Sequence, residues 1–202
     1  MEGQSPTDST DPNPGCTGCP HRNGTLAWMI FNETRPDVQA WSKKLWDAQT
    51  NDYLVRTDVW VYGNENAGTG NWTVGNGVSR STNGPEYGFG FGIGDASPSQ
   101  VLLAKFAHGG TALASDWRPP SSGGAVGPLF NASVAWWQQL LTPANLTALF
   151  PAYDASKGFE IAGFVWVQGW QDGCNQQWAD EYEVNMASTR NEARPPIRTH
   201  LL

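Results

Sequence analysis

Long apolar runs, basic charge and cysteine are all scarce in this chain of 202 residues. No stretch approaches the roughly 20 apolar residues that a bilayer-spanning helix needs, and the longest apolar runs are strand-sized. Lys and Arg number 12 against 19 Asp and Glu, a formal charge of −7. The basic footprint that neutralises nucleic-acid phosphates is therefore missing, and the same deficit argues against an anionic membrane surface. What is present points to a packed core: 15% of residues are charged, 12% are aromatic and 11 are Trp. Disordered chains show the reverse balance. The length suits one domain that buries roughly 70% of its unfolded surface.

Three Cys and three His leave little for metal chemistry. Cys16 and Cys19 are spaced as Cys-x-x-Cys, but there is no second ligand pair, and His21, His108 and His200 lack zinc-type spacing. Thioredoxin-type chemistry would need the pair to open a helix after a strand, and Pro12 to Pro20 is turn-rich. A local loop disulfide or free thiols is the expectation for Cys16, Cys19 and Cys174, with no metal and no cofactor. Asn-x-Ser/Thr sequons occur at Asn23, Asn32, Asn71, Asn131 and Asn145. With 14 Asn in the chain, chance gives about two, so five favours a secretory history with surface glycans. Met1-Glu2-Gly3-Gln4-Ser5 has neither a basic nor an apolar leader region. Two readings stay open: a cytoplasmic protein with idle sequons, or a secreted parent whose N-terminus lies upstream.

Along the chain, Gln4 to Asn23 is a Ser/Thr/Asp/Pro/Gly segment without periodicity, so residues 1–22 read as a loop-rich N-terminal segment. Leu26 to Phe31 is a short apolar run. Val38, Trp41, Leu45 and Trp46 recur at helical spacing within Asp37 to Ala48, after Pro36 at the first helical position. Asp58 to Tyr62 reads as a strand, followed by a Gly/Asn-rich loop to about Gly77. Glu86 to Asp95 follows Gly84-Pro85 and suggests a helix. Gly88, Gly90, Gly92 and Gly94 each cost it about 1 kcal/mol, and imply either close packing or a poor helix. Val101 to Ala107 and Phe159 to Val167 are near-continuous apolar runs, as expected of parallel strands covered on both faces. Helices are expected at Ser133 to Leu141, Pro143 to Phe150 and Gln176 to Arg194. Strands alternating with helices predict an α/β fold.

In such folds ligands sit at the carboxyl ends of strands. Val101 to Ala107 ends in His108-Gly109-Gly110-Thr111, and Phe159 to Val167 ends in Gln168-Gly169-Trp170-Gln171-Asp172. Paired glycines at a strand end let a ligand approach backbone N–H groups, and equally make a tight turn. Glu86 stands in the first turn of its helix, where the macrodipole favours a carboxylate whether or not it has a functional role. Arg118, in Asp116-Trp117-Arg118-Pro119-Pro120, suits either substrate contact or a salt bridge that holds its loop. His108 as a general base lacks a Ser or Asp neighbour in sequence. Trp abundance fits sugar stacking as well as core packing.

Together these blocks resemble the sialate O-acetylesterase domain (carbohydrate esterase family 6 type) of the SGNH hydrolase superfamily. The matching text is Asn23 to Leu26, Arg56 to Val61, Gly84-Pro85-Glu86-Tyr87-Gly88-Phe89-Gly90, Val101 to Ser122, Gly163 to Asp172 and Tyr182 to Asn185, in the family's order. The resemblance implies a three-layer αβα sandwich with a mostly parallel sheet, and a Ser-His-Asp esterase that removes acetyl groups from sugars. It makes Gly84, Gln168 and Gly169 candidates for the oxyanion or substrate site, with Glu86, Gly109, Gly110, Arg118 and Asp172 in support. His108 and Gln171 stand where the family usually shows Trp and Asn.

In that family the nucleophile lies in a Gly-Gln-Ser-Asn motif after the first strand. Gly3-Gln4-Ser5 looks like it, but Pro6 replaces Asn and five residues cannot supply the strand. Ser5 is therefore a weak candidate, and Met1-Glu2-Gly3 fits better as the tail of a motif that begins upstream. At the other end His200 has no Asp at the family's spacing. The expectation is a partial domain over residues 23–194 with a non-family tail at 195–202, lacking the first strand and the final catalytic segment and inactive alone. Two alternatives are a non-catalytic glycan-binding module and an unstable gene-model fragment. The expected partner is an acetylated carbohydrate, with no nucleic acid and no membrane span; the oligomeric state stays open.

Overall fold

The computed structural model describes residues 5–6, 25–64, 68–76 and 82–192. Helices and strands alternate with small sheets in an α/β arrangement, in two compact units, Met1–Ala107 and His108–Leu202.

The first unit begins with β1 (Ser5–Pro6) and the short helix α1 (Leu26–Phe31). The fully buried Thr25 starts α1 by accepting the Trp28 N–H at 3.1 Å, which satisfies one of the orphan donors of the first turn. Helix α2 (Pro36–Ser42) starts with proline as expected but stops well short of Ala48. A 3-10 turn (Lys43–Leu45) leads into a hairpin of β2 (Trp46–Asp47) and β3 (Asp52–Tyr53). Turn chemistry overrides helical spacing here. The Asp47 carboxylate accepts the Gln49 N–H at 2.8 Å, and Asn51 takes a positive φ of 54°. Trp46, read as part of a helical stripe, instead meets Phe31 and Tyr53 edge-on.

Strand β4 (Arg56–Gly63) is the spine of a three-stranded sheet, antiparallel to β5 (Thr69–Trp72) on one side and parallel to β7 (Val101–Lys105) on the other. Strand β5 occupies part of the stretch read as a Gly/Asn-rich loop. Val59, Val61 and Trp72, all 0% exposed, join Ile30, Leu45 and Tyr87 in the core. Beyond β5, β6 (Thr82–Asn83) pairs with β1, and helix α3 (Pro85–Ala96) begins with proline at its first turn. Its glycines divide by face. A Cβ on Gly90 would collide with the Trp72 indole and one on Gly94 with the Arg56 guanidinium, whereas Gly88 and Gly92 face open space. Close packing thus explains two of the four.

In the second unit, α4 (Pro128–Leu140) starts five residues before the expected Ser133, because Pro128 occupies its first turn after Gly127. Helix α5 (Pro143–Leu149) and helix α6 (Gln176–Glu192) lie where the sequence places them. The run Phe159 to Val167, expected as a strand, forms no ladder among the described residues, and Phe159, Phe164 and Val165 are exposed. Apolar content fits a strand, but pairing makes one.

Candidate functional site

The residues singled out by sequence fall into two clusters, one in each unit. The first lies where α3 begins. The pairing of β1 with β6 sets the backbone of Ser5 opposite Asn83, one residue before Gly84. Gly84 precedes the helix in an extended conformation, and its N–H donates to Glu86 Oε1 at 2.9 Å. Glu86 is buried, and the same oxygen lies 3.2 Å from Lys105 Nζ at the end of β7, forming a largely buried ion pair. Lys105 also donates to the Asn76 carbonyl at 3.0 Å, and Asn83 Oδ1 accepts the Gly75 N–H at 3.0 Å. Helix start, sheet end and the loop after β5 are thereby tied together. Trp72 and Tyr87 stack beneath with centroids 4.5 Å apart, and burial pushes the Tyr87 hydroxyl above the ordinary phenol range.

The sheet end is finished by an amide. Asn64 donates through Nδ2 to the Ala107 carbonyl at 3.0 Å and accepts the Ala107 N–H at 2.8 Å, imitating a further strand pair just past β7. Sequence reading missed both Asn64 and Lys105. The signal for Lys105 was its standing as the one charge in an otherwise apolar strand.

The second cluster centres on Asp172, which is 1% exposed. Its carboxylate accepts the backbone N–H groups of Leu113 (2.8 Å) and Ala114 (2.9 Å), and the Gln168 side-chain amide at 2.6 Å. Gln168 Nε2 also donates to the Thr111 carbonyl at 3.1 Å, and the Gln168 carbonyl accepts the Tyr182 hydroxyl of α6 at 2.8 Å. Thr111 Oγ1 accepts Trp117 Nε1 at 2.8 Å, and Trp117 meets Trp166 edge-on. The segments around 111–117 and 166–172 are thus sewn together by polar groups that would otherwise be buried unpaired. Among the described residues, Gln168 Oε1 and Trp166 Nε1 are buried without a hydrogen-bond partner.

Gly169 (φ 149°) and Gly110 (φ 67°) both hold backbone conformations that favour glycine. His108, Gly109 and Gly110 are exposed. Arg118 makes contacts of the loop-holding kind. Its guanidinium donates to the Ala114 carbonyl at 2.7 Å, to the Gly123 carbonyl at 3.2 Å and to Glu181 of α6. The Gln177 amide, followed by Arg118, holds the Glu181 carboxyl below its usual range. Cys174 is an exposed free thiol. Cys16, Cys19 and His200 lie outside the described residues, among which no group of three or more His, Cys, Asp or Glu is placed to hold a metal ion.

Two buried carboxylates at the starts of helical turns, each tied to a glycine-bearing strand-end loop, are suited to holding backbone donors in fixed positions. A family model for carbohydrate esterases described as sialic acid-specific acetylesterase matches residues 36–202. No curated protein and no solved structure matches the chain.

Proposed function

From the premise that this chain belongs to the sialic acid-specific acetylesterase family of carbohydrate esterases, we propose that its chemistry is the hydrolysis of acetyl esters on sugars through an acyl-enzyme. The family match over residues 36–202 carries the reading. A serine attacks the acetyl carbonyl, a His-Asp pair handles its proton, the tetrahedral oxyanion is met by positioned N–H donors, and water releases acetate. The proposed architecture is a three-layer αβα sandwich with a mostly parallel sheet, and the proposed setting is the secretory pathway.

In the first unit Gly84 is the proposed oxyanion donor and Glu86 its holder. Because the Gly84 N–H already donates to Glu86, serving an oxyanion requires the carboxylate to release or share it. In the second unit Gln168 and Gly169 are the proposed substrate-site residues, and Asp172 positions the Gln168 amide. Gly109 and Gly110 are the proposed supporting glycines of the exposed loop after β7, and Arg118 supports the site by tying the Ala114 and Gly123 carbonyls to Glu181. Ser5 is not the proposed nucleophile, since Pro6 follows it where the family motif has Asn.

The test pairs binding with turnover. The chain should bind an O-acetylated sialic acid at least tenfold more tightly than the de-acetylated sugar by calorimetry, and equal binding without acetate release would overturn the substrate reading. Acetate release by the chain and by Ser5→Ala addresses the nucleophile. The expected result is no Ser5-dependent turnover, whereas activity abolished by the substitution would make Ser5 the nucleophile.

A further inference from the structure

The sequons sort themselves by what the fold does with each asparagine. Asn32 follows α1; its backbone N–H closes the last turn on the Trp28 carbonyl at 2.7 Å, while the residue itself is exposed. Asn71 lies on β5, where strand alternation turns Trp72 into the core and leaves Asn71 exposed. Asn131 lies in the first turn of α4, exposed beside the buried Phe130. Asn145 differs. It is half-buried in the first turn of α5, its side-chain amide donates to the Gln139 carbonyl of α4 at 2.6 Å, and its N–H is taken by Thr142 Oγ1 at 3.3 Å.

We propose that Asn32, Asn71 and Asn131 are N-glycosylation sites of this protein and that Asn145 is not, so the chain is made to carry glycans on both of its compact units. In the reaction the amide Nδ2 bonds to the anomeric carbon of an oligosaccharide carried on a lipid pyrophosphate. The lipid pyrophosphate leaves with the C–O bond electrons, and Nδ2 gives up one proton. The product is a neutral, strongly hydrated group on a surface position. The three asparagines are exposed, which leaves their side chains on the solvent side to accept it. At Asn145 the sugar would have to grow from a nitrogen folded onto the end of α4, within the tight connection between α4 and α5. This inference is independent of the esterase reading, because it concerns neither of the two site clusters.

The experiment is export of the full chain from a eukaryotic host behind a secretion leader, carrying Asn23→Gln so that only described positions report. Import into microsomes gives the same readout if the chain is retained. Peptide N-glycosidase converts each occupied Asn to Asp, and peptide mass mapping then identifies the sites. The expected result is Asp at 32, 71 and 131 with Asn retained at 145. On a gel, Asn32→Gln, Asn71→Gln and Asn131→Gln should each remove one mobility step and Asn145→Gln none. An unoccupied Asn32, Asn71 or Asn131, or occupancy of Asn145 equal to theirs, would overturn the proposal.

Discussion

Glu86 and Asp172 are both buried carboxylates near the start of a helical turn, yet they are neutralised in opposite ways. Glu86 sits against a cation, Lys105, with the Gly84 N–H as a further donor. Asp172 is held instead by neutral donors: two backbone N–H groups and one side-chain amide. A charge balanced by a cation belongs to a pair whose two members can be replaced together at little cost, because the desolvation penalty of each disappears with the charge. A charge balanced by backbone dipoles cannot be treated so, since the backbone donors remain whatever replaces the carboxylate. The first arrangement is exchangeable, and the second is written into the path of the chain.

The largest effect should therefore come at Asp172. Asp172→Ala strands two buried N–H groups and frees the Gln168 amide, at about 1–3 kcal/mol for each unsatisfied donor, and should cost about 4 kcal/mol in urea unfolding. Next is Lys105→Met, which leaves Glu86 buried without its cation and should cost about 3 kcal/mol. Adding Glu86→Gln to it should bring stability back to within about 1 kcal/mol of the parent. If the double variant stays as unstable as Lys105→Met, the bond from Lys105 to the Asn76 carbonyl matters more than the ion pair, and the contrast between the clusters fails.

Arg118→Lys tests whether the second cluster depends on planar geometry. An ammonium cannot span the Ala114 carbonyl, the Gly123 carbonyl and Glu181 at once, so a loss of about 1–2 kcal/mol in thermal unfolding is expected. The smallest effect concerns Glu33, which mixes both modes: its carboxylate accepts the Thr34 and Arg35 N–H groups and the Arg35 guanidinium. The Arg35 side chain, aided by these backbone bonds, lowers its pKa from 4.5 to about 2. A carboxylate depressed by folding stabilises the folded state above its unfolded value, and that contribution is lost as pH falls through the folded one. Stability measured between pH 4.5 and 2 should thus fall less steeply in Glu33→Gln than in the parent.

Much of the fold was legible because its signals are local. Pro36 and Pro85 mark helix starts through a fixed φ, and the apolar pattern around Val59 and Val101 marks strands. Where local signals competed, the sequence misled. Trp41, Leu45 and Trp46 have helical spacing, but the turn set by Asp47 and Asn51 takes Trp46 into a hairpin. Phe159 to Val167 has the composition of a strand without a ladder among the described residues.

The site shows the same division. The sequence placed Gly84 and Glu86 at the start of a helix, where they stand, but Gln168, Gly169 and Asp172 at the end of a strand that does not form among the described residues; the family is recoverable from the order of those blocks. Which groups touch was decided by tertiary structure. Lys105 reaches Glu86 across 19 positions of sequence, and Asp172 gathers the N–H groups of Leu113 and Ala114 from 59 and 58 positions away. Likewise the sequence determined the five sequons, whereas packing decided that Asn145 folds its amide onto α4 and Asn71 points away from the core. Local sequence fixes φ and ψ preferences and the alternation of side chains. A hydrogen bond between distant residues depends on how completed elements pack, which no single stretch of the chain contains.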